Sequence, residues 1–266
     1  MDGRRRQLLV ELFVLFNFAG LVVDIFLAHS TNHFRRWSEY IPLYFSIAAT
    51  AGLAIVVAGR ARWPAAWRDV GYLVGWIAVG VGIGGVVLHL DSQFFYERTI
   101  RSLTYAAPFA APLAYTGLGL LLIANRMLAP DSFEWAQWML LLALGGFVGN
   151  FVFSLTDHAQ NGFFHRAEWI PVVSSALVIG LLVVPFVTPV TTPFLLLCAA
   201  ALAGQALVGL VGFALHVGAD LQGSAPTLFE RVLAGAPPMA PLLFPNLALL
   251  GFIALAAMLL RTDSEE

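Results

Sequence analysis

Long runs of apolar residues, separated by short polar segments, constrain the fold of this chain more than any other feature of its sequence. A helix needs about 20 mostly apolar residues to cross the hydrocarbon core of a bilayer. Eight stretches reach this length: residues 8–28, 41–59, 71–90, 105–125, 136–156, 169–187, 193–216 and 241–260. Only 11% of the residues are charged, whereas a soluble domain carries about a quarter. We therefore expect an integral membrane protein whose main partner is the lipid bilayer.

The composition of these runs favours helices over a barrel. In hydrocarbon every backbone N–H and C=O must be paired within the protein, which leaves helices and closed β-barrels. The runs are rich in Leu, Ala, Gly and Val and lack an alternation of period two, which barrel strands require. The sequence therefore predicts an all-α, multi-pass membrane protein with eight transmembrane helices.

The placement of arginine predicts the orientation of the chain, which contains no lysine. Eight arginines fall on one side of the predicted helices: Arg4, Arg5, Arg6, Arg60, Arg62, Arg68, Arg126 and Arg261. The other six fall on the opposite side, and an excess of arginine marks the cytoplasmic face. We predict an inner-membrane protein with both termini in the cytoplasm. The arginines form no clustered basic face of the kind that nucleic acid requires, so a nucleic-acid partner is not expected.

Three pairs of segments with matching residues indicate an internal repeat. AHSTNHFRRWSEYIP at residues 28–42 matches DHAQNGFFHRAEWIP at residues 157–171, and GIGGVVLH at 82–89 matches GLVGFALH at 209–216. A third match, between residues 96–112 and 229–245, pairs Glu97 with Glu230 and Pro108 with Pro241. The chain is therefore predicted to be a tandem repeat of two four-helix halves, residues 1–130 and 131–266. Four crossings return the chain to its starting side, so the halves should be related by a parallel pseudo-two-fold axis along the membrane normal.

The repeated ionisable residues all fall at the predicted non-cytoplasmic ends of the helices. They are His29, His89, His158, His216, Glu39, Glu97, Glu168 and Glu230. The two remaining histidines, His33 and His165, belong to the same loops. This one-sided distribution is the strongest indication of function in the sequence.

Metal or haem binding is the first interpretation of this cluster. Imidazole suits Zn, Cu and Fe, and carboxylates complete or orient such ligand sets. The four repeated histidines are the candidate ligands, and the four repeated glutamates are candidate ligands or supporting groups. A haem b could be held by His29 with His89, and another by His158 with His216. Such a protein would transfer electrons, oxidise a lipid-soluble substrate or handle a metal, and whether it is an enzyme stays open.

Two other interpretations remain open. Histidine at a helix C-terminus and glutamate ahead of the next helix both interact favourably with the helix dipole, which would suit a non-catalytic scaffold that binds other membrane subunits. Alternatively, Asp24 lies about one turn inside the first predicted helix and Asn17 lies deeper. Polar residues within membrane segments are functional candidates, and these two would begin a path in a proton- or ion-coupled transporter.

Overall fold

The computed structural model describes residues 2–265, with side chains through residue 260, and is almost entirely helical. Arg261, which contributed to the orientation argument, lies outside the described side chains. Eleven α-helices follow one another in the described part: α1 Gly3–Ser30, α2 Tyr40–Ala58, α3 Pro64–Leu90, α4 Phe94–Glu97, α5 Ile100–Tyr105, α6 Leu113–Met127, α7 Phe133–Gln160, α8 Trp169–Val187, α9 Thr192–Leu221, α10 Leu228–Ala234 and α11 Leu243–Glu265. Short 3₁₀ turns at Trp37–Glu39, Arg166–Glu168 and Ala240–Leu242 precede α2, α8 and α11. The all-α prediction is confirmed.

Helix starts follow from local sequence. The Asp2 carboxylate accepts a hydrogen bond of 2.8 Å from the Arg5 backbone N–H at the start of α1. The Ser132 hydroxyl accepts one of 3.1 Å from the Trp135 backbone N–H at the start of α7. Short oxygen-bearing side chains satisfy otherwise unpaired N–H groups at these positions. Proline occupies the first turn of α3 and of α9, where its missing N–H costs nothing.

Seven of the described helices are long and apolar enough to cross a membrane: α1, α2, α3, α7, α8, α9 and α11. The eighth apolar stretch forms α6, which has only 15 residues. At 1.5 Å per residue this helix is about 22 Å long, shorter than a hydrocarbon core of about 30 Å. The structure thus supports a multi-pass membrane protein with seven candidate spans, and the eighth crossing stays a prediction.

Residues 108–127 nevertheless run alongside α3 over most of its length. A Cβ added at Gly71 would overlap the Arg126 guanidinium, and one added at Gly85 would lie 2.7 Å from Pro112 Cβ. Between these points, glycines on α3 leave room for the backbone of α6 to approach closely, as small residues do in membrane helix pairs. Hydrogen-bonded turns that contain Pro108 and Pro112 therefore precede the short helix along the last turns of α3.

The main helix contacts fall into two sets of the same form. In the first set α1 contacts α2, α2 contacts α3, α3 contacts α6 and α1 contacts α6. In the second set α7 contacts α8, α8 contacts α9, α9 contacts α11 and α7 contacts α11. Contacts of α6 with α7 and of α1 with α11 join the two sets. The four helices α1, α6, α7 and α11 therefore form the centre of the molecule.

Burial agrees with this arrangement. Phe18 on α1, Leu122 on α6, and Trp135 and Phe147 on α7 are fully buried. Large apolar side chains on the outer helices are exposed instead, among them Tyr44, Trp76, Leu177 and Leu207. Extended apolar surface of this kind marks an interaction with lipid or another protein, and the helix lengths favour lipid.

Candidate functional site

The four repeated histidines lie at one end of the molecule, which we call the histidine face. His29 is in the last turn of α1, and its Nδ1 lies 3.7 Å from Oε2 of Glu39. The other Glu39 oxygen accepts a hydrogen bond of 3.2 Å from the Asn32 amide. Both side chains of the pair are largely covered, with exposed fractions of 17% for His29 and 12% for Glu39. At 3.7 Å the two groups are at ion-pair distance and not hydrogen-bonded, and Oε2 of Glu39 has no hydrogen-bond partner among the described residues.

The same arrangement recurs between the end of α7 and the start of α8. His158 is in the last turn of α7, and its Nδ1 also lies 3.7 Å from Oε2 of Glu168. The other Glu168 oxygen accepts a hydrogen bond of 3.3 Å from the His165 backbone N–H. The matched segments of the sequence thus place the same two groups at the same separation.

An aromatic stack supports each histidine–glutamate pair. The Phe34 ring lies 5.7 Å from His29 and stacks on Tyr40 at 4.7 Å between ring centres. The Phe163 ring lies 6.1 Å from His158 and stacks on Trp169 at 4.0 Å. Both phenylalanines have positive φ, 49° and 52°, which turns the chain sharply after the helix end and brings each ring under its histidine.

The other two histidines hold the proline-containing loops. His89 Nδ1 lies 2.9 Å from the Pro108 carbonyl oxygen, and His216 Nδ1 lies 2.9 Å from the Pro237 carbonyl oxygen. The sequence match had paired Pro108 with Pro241, whereas these contacts pair it with Pro237. The sequence match is therefore displaced by four residues. It aligned the shared Glu-Arg dipeptide and not the carbonyl groups that the histidines contact.

These contacts determine which ring nitrogen is free. A carbonyl oxygen can only accept a hydrogen bond, so Nδ1 of His89 and of His216 must carry the proton. A carboxylate facing Nδ1 favours the same tautomer for His29 and His158. In each neutral ring the lone pair is then on Nε2, which is the atom available to a metal ion or to a proton.

The imidazoles form pairs within each half. The ring centres of His29 and His89 are 6.3 Å apart. In the second half, His158 and His216 both interact electrostatically with Asp157, so they share one neighbourhood. Among the described residues, no group of three or more His, Cys, Asp or Glu side chains is placed to hold a metal ion.

Two of the predicted glutamates are not part of these pairs. Glu230 accepts hydrogen bonds from the backbone N–H and the hydroxyl of Thr227, which forms a capping box at the start of α10. In α5 the corresponding box joins Thr99 and Ser102. Glu97 ends the short helix α4 and is exposed. In the described part of the chain, no hydrogen bond or ion pair connects Glu97 or Glu230 to a histidine.

The residues of the predicted polar path have separate environments. The Asn17 amide on α1 donates to the Phe13 carbonyl at 2.8 Å and to Asn246 Oδ1 at 3.1 Å, so it joins α1 to α11. Asp24 lies nearer the histidine face and lines a cavity of about 220 Å³. No hydrogen bond in the described structure links Asp24 to Asn17.

Sequence reasoning missed a buried ion pair at the opposite end of the molecule. Arg126 on α6 donates to both oxygens of Glu11 on α1, at 2.7 and 3.0 Å. Asn125 donates to the same carboxylate at 3.0 Å and accepts from the Trp135 indole at 3.0 Å. The Glu11 and Arg126 side chains are 1% and 0% exposed. A glutamate within an apolar run is costly unless paired, and this was the one signal that the sequence offered.

Comparison with known proteins found no family model, no curated protein and no solved structure that matches this chain.

Proposed function

We propose that this multi-pass membrane protein binds transition-metal ions at its histidine face, one ion between the two histidines of each half. The observation that carries the proposal is the common orientation of the four imidazoles. Each presents Nδ1 to a carboxylate or a carbonyl oxygen, at 3.7 Å or 2.9 Å. Metal-binding histidines are almost always held this way through their second nitrogen, which fixes the ring and raises the basicity of the free nitrogen.

The spacing of the imidazoles supports the same proposal. Two imidazoles bound to one ion through nitrogen at about 2.0–2.1 Å have ring centres roughly 5–6 Å apart. The 6.3 Å separation of His29 and His89 lies just above this range. Two protein ligands leave the remaining positions to water or another small ligand. Such open sites suit metal transfer or electron transfer, and copper and zinc are among the ions that imidazole binds well.

Matching positions in the two predicted halves support two equivalent sites. A shift of 129 residues relates His29 to His158, Glu39 to Glu168, and Pro108 to Pro237. We infer that both halves descend from one four-helix unit that already carried the histidine pair. Two ions per chain are therefore expected.

The test is a metal titration of the purified, metal-free protein with Cu²⁺ and Zn²⁺, followed by elemental analysis. We expect two ions per wild-type chain and one for His89→Asn or His216→Asn. Asparagine can still donate to the proline carbonyl, so these variants remove Nε2 while keeping the loop anchor. The double variant should bind none, and Glu39→Gln should weaken the first site about 10–100-fold.

The exposed histidines provide the matched control. His33→Ala and His165→Ala should each retain two ions, because neither residue belongs to a pair. Undiminished binding in the His89→Asn/His216→Asn double variant would contradict the proposal, as would a wild-type protein that stays metal-free after loading. An absorption spectrum of the protein as isolated tests the haem prediction in the same sample, because haem gives a Soret band.

A further inference from the structure

A cavity of about 220 Å³ lies at the histidine face between the two halves of the molecule. The end of α1 forms one wall, with Asp24, Ala28 and Thr31. The other wall consists of α10 and the loop that follows it, with Val232 and Pro238. None of the four imidazoles lines the cavity, so it is separate from the metal sites proposed above.

An equivalent pocket between α7 and the loop after α5 is filled. Each of its nine lining residues lies 129 positions from a lining residue of the cavity, yet its volume is only about 10 Å³. Phe153 stands where the cavity has Asp24, and Phe109 stands where it has Pro238. The Gln160 amide also closes the pocket by donating to the Thr104 carbonyl at 2.7 Å. The open cavity thus results from side chains that differ between otherwise equivalent walls.

The Asp24 carboxylate has no partner among the described residues. No hydrogen bond and no ion pair to it is found there, and most of the surrounding side chains are apolar: Leu27, Val232, Leu233, Pro238 and Met239. A half-buried carboxylate in apolar surroundings is unfavourable unless a cation or a hydrogen-bond donor accompanies it. A ligand that brings a positive group next to Asp24 would therefore be stabilised in this cavity.

We propose that this cavity binds a primary ammonium group attached to a compact apolar body. The ammonium pairs with Asp24, and the apolar part contacts the leucine, valine and proline side chains. The Thr31 hydroxyl donates its proton to the Ala28 carbonyl, so its oxygen can accept from the same ammonium. A quaternary ammonium is less suitable, because its usual aromatic cage is not present among the lining residues.

The size of the cavity limits the ligand. An apolar cavity of about 150 Å³ takes up benzene, so one of about 220 Å³ accommodates a one-ring amine such as benzylamine. A primary ammonium group can reach this cavity from two sources. One is a free amine from the aqueous side, and the other is the ethanolamine headgroup of a phospholipid.

Benzylamine and benzyl alcohol are the matched probes, because they share a shape and differ in charge. Calorimetry on wild-type protein in lipid-free detergent should show benzylamine binding at least tenfold tighter than benzyl alcohol. Asp24→Asn should remove this preference. Pro238→Phe keeps the carboxylate but fills the cavity as Phe109 fills its counterpart, and it should weaken both probes at least tenfold. Asp157→Asn, in the filled pocket, should leave benzylamine affinity within twofold of wild type.

Equal affinity of the wild-type protein for the two probes would overturn the proposal, and so would the absence of benzylamine binding. Both readouts use unmodified protein, so they do not depend on the variants folding. Nanodiscs distinguish the two sources. Benzylamine affinity that is lower in phosphatidylethanolamine discs than in phosphatidylcholine discs identifies the headgroup as a competing occupant. Equal affinity in the two lipids identifies a free amine.

Discussion

At the scale of the residue, backbone conformation explains why histidine at position 33 is aligned with glycine at position 162. His33 in the first loop and Gly162 in the second both have positive φ, 61° and 70°. L-residues with a side chain adopt this left-handed conformation at a cost, and glycine does not. Histidine therefore occupies a site that favours glycine, and His33 is strained rather than part of the histidine pairs.

His33→Gly should stabilise the protein by about 0.5–1 kcal/mol, because it relieves the left-handed strain. Gly162→Ala should destabilise it by about 1 kcal/mol. Space is not a factor at Gly162, since a Cβ there would have no neighbour within 4 Å. Thermal unfolding in detergent measures both changes.

Gly180 in α8 is the matched control for that comparison. It too has no neighbour within 4 Å of an added Cβ, but it lies in a helix. Alanine is favoured there by about 0.5–1 kcal/mol, so Gly180→Ala should raise stability. If Gly162→Ala and Gly180→Ala shift the melting temperature in the same direction, the conformational argument fails.

At the scale of the element, the Glu11–Arg126 pair fixes α6 against α1. The guanidinium also lies 4.6 Å from the Trp67 ring centre and donates to the Trp67 carbonyl at 3.3 Å, so α3 joins the same contact. Removing one partner of a buried pair leaves an uncompensated charge, which costs about 3–5 kcal/mol. Replacing both partners with apolar residues avoids that cost.

We expect Glu11→Met and Arg126→Met each to lower the free energy of unfolding by about 3–5 kcal/mol. The double variant should be more stable than either single variant, and a denaturant titration in mixed micelles compares the three. Asp69→Asn breaks the exposed Arg68–Asp69 pair and serves as the control, with an expected change below about 1 kcal/mol. Additive losses in the double variant would show that the two side chains act independently.

At the scale of the whole molecule, the topology depends on whether residues 108–127 cross the bilayer. Arg35 and Phe164 occupy equivalent exposed positions, 129 residues apart. Four crossings between them place both on one face, whereas three crossings place them on opposite faces. The close contact of α6 with α3 favours four.

Single cysteines at these positions test the crossing in a Cys198→Ala background. We expect a membrane-impermeant thiol reagent to label Arg35→Cys and Phe164→Cys from the same side of sealed vesicles, and Arg62→Cys from the other side. If positions 35 and 164 are labelled from opposite sides, residues 108–127 do not cross the bilayer and the chain has seven crossings. Cys198 is buried, so its replacement removes background without altering the surface.

Sequence reasoning predicted the helical class, because hydropathy is a local signal. It also proposed His29 and His89 as a ligand pair, and their ring centres lie 6.3 Å apart. It did not predict the length of α6. Residues 105–125 count as one apolar run, but Pro108 and Pro112 disfavour helix for the residues before them, and α6 begins only at Leu113. Nor did it find the Glu11–Arg126 contact, whose partners are 115 residues apart. The positions 129 residues after Glu11 and Arg126 are both leucine, so the sequence repeat gave no second example of the pair.

That separation along the chain has a consequence for biosynthesis. Glu11 leaves the ribosome with the first hydrophobic segment, long before Arg126 is translated. A translocon handling that segment receives an acidic side chain whose counterion does not yet exist. The final position of α1 therefore depends on the later arrival of α6, and the two helices can pack together only after the segments between them have been made.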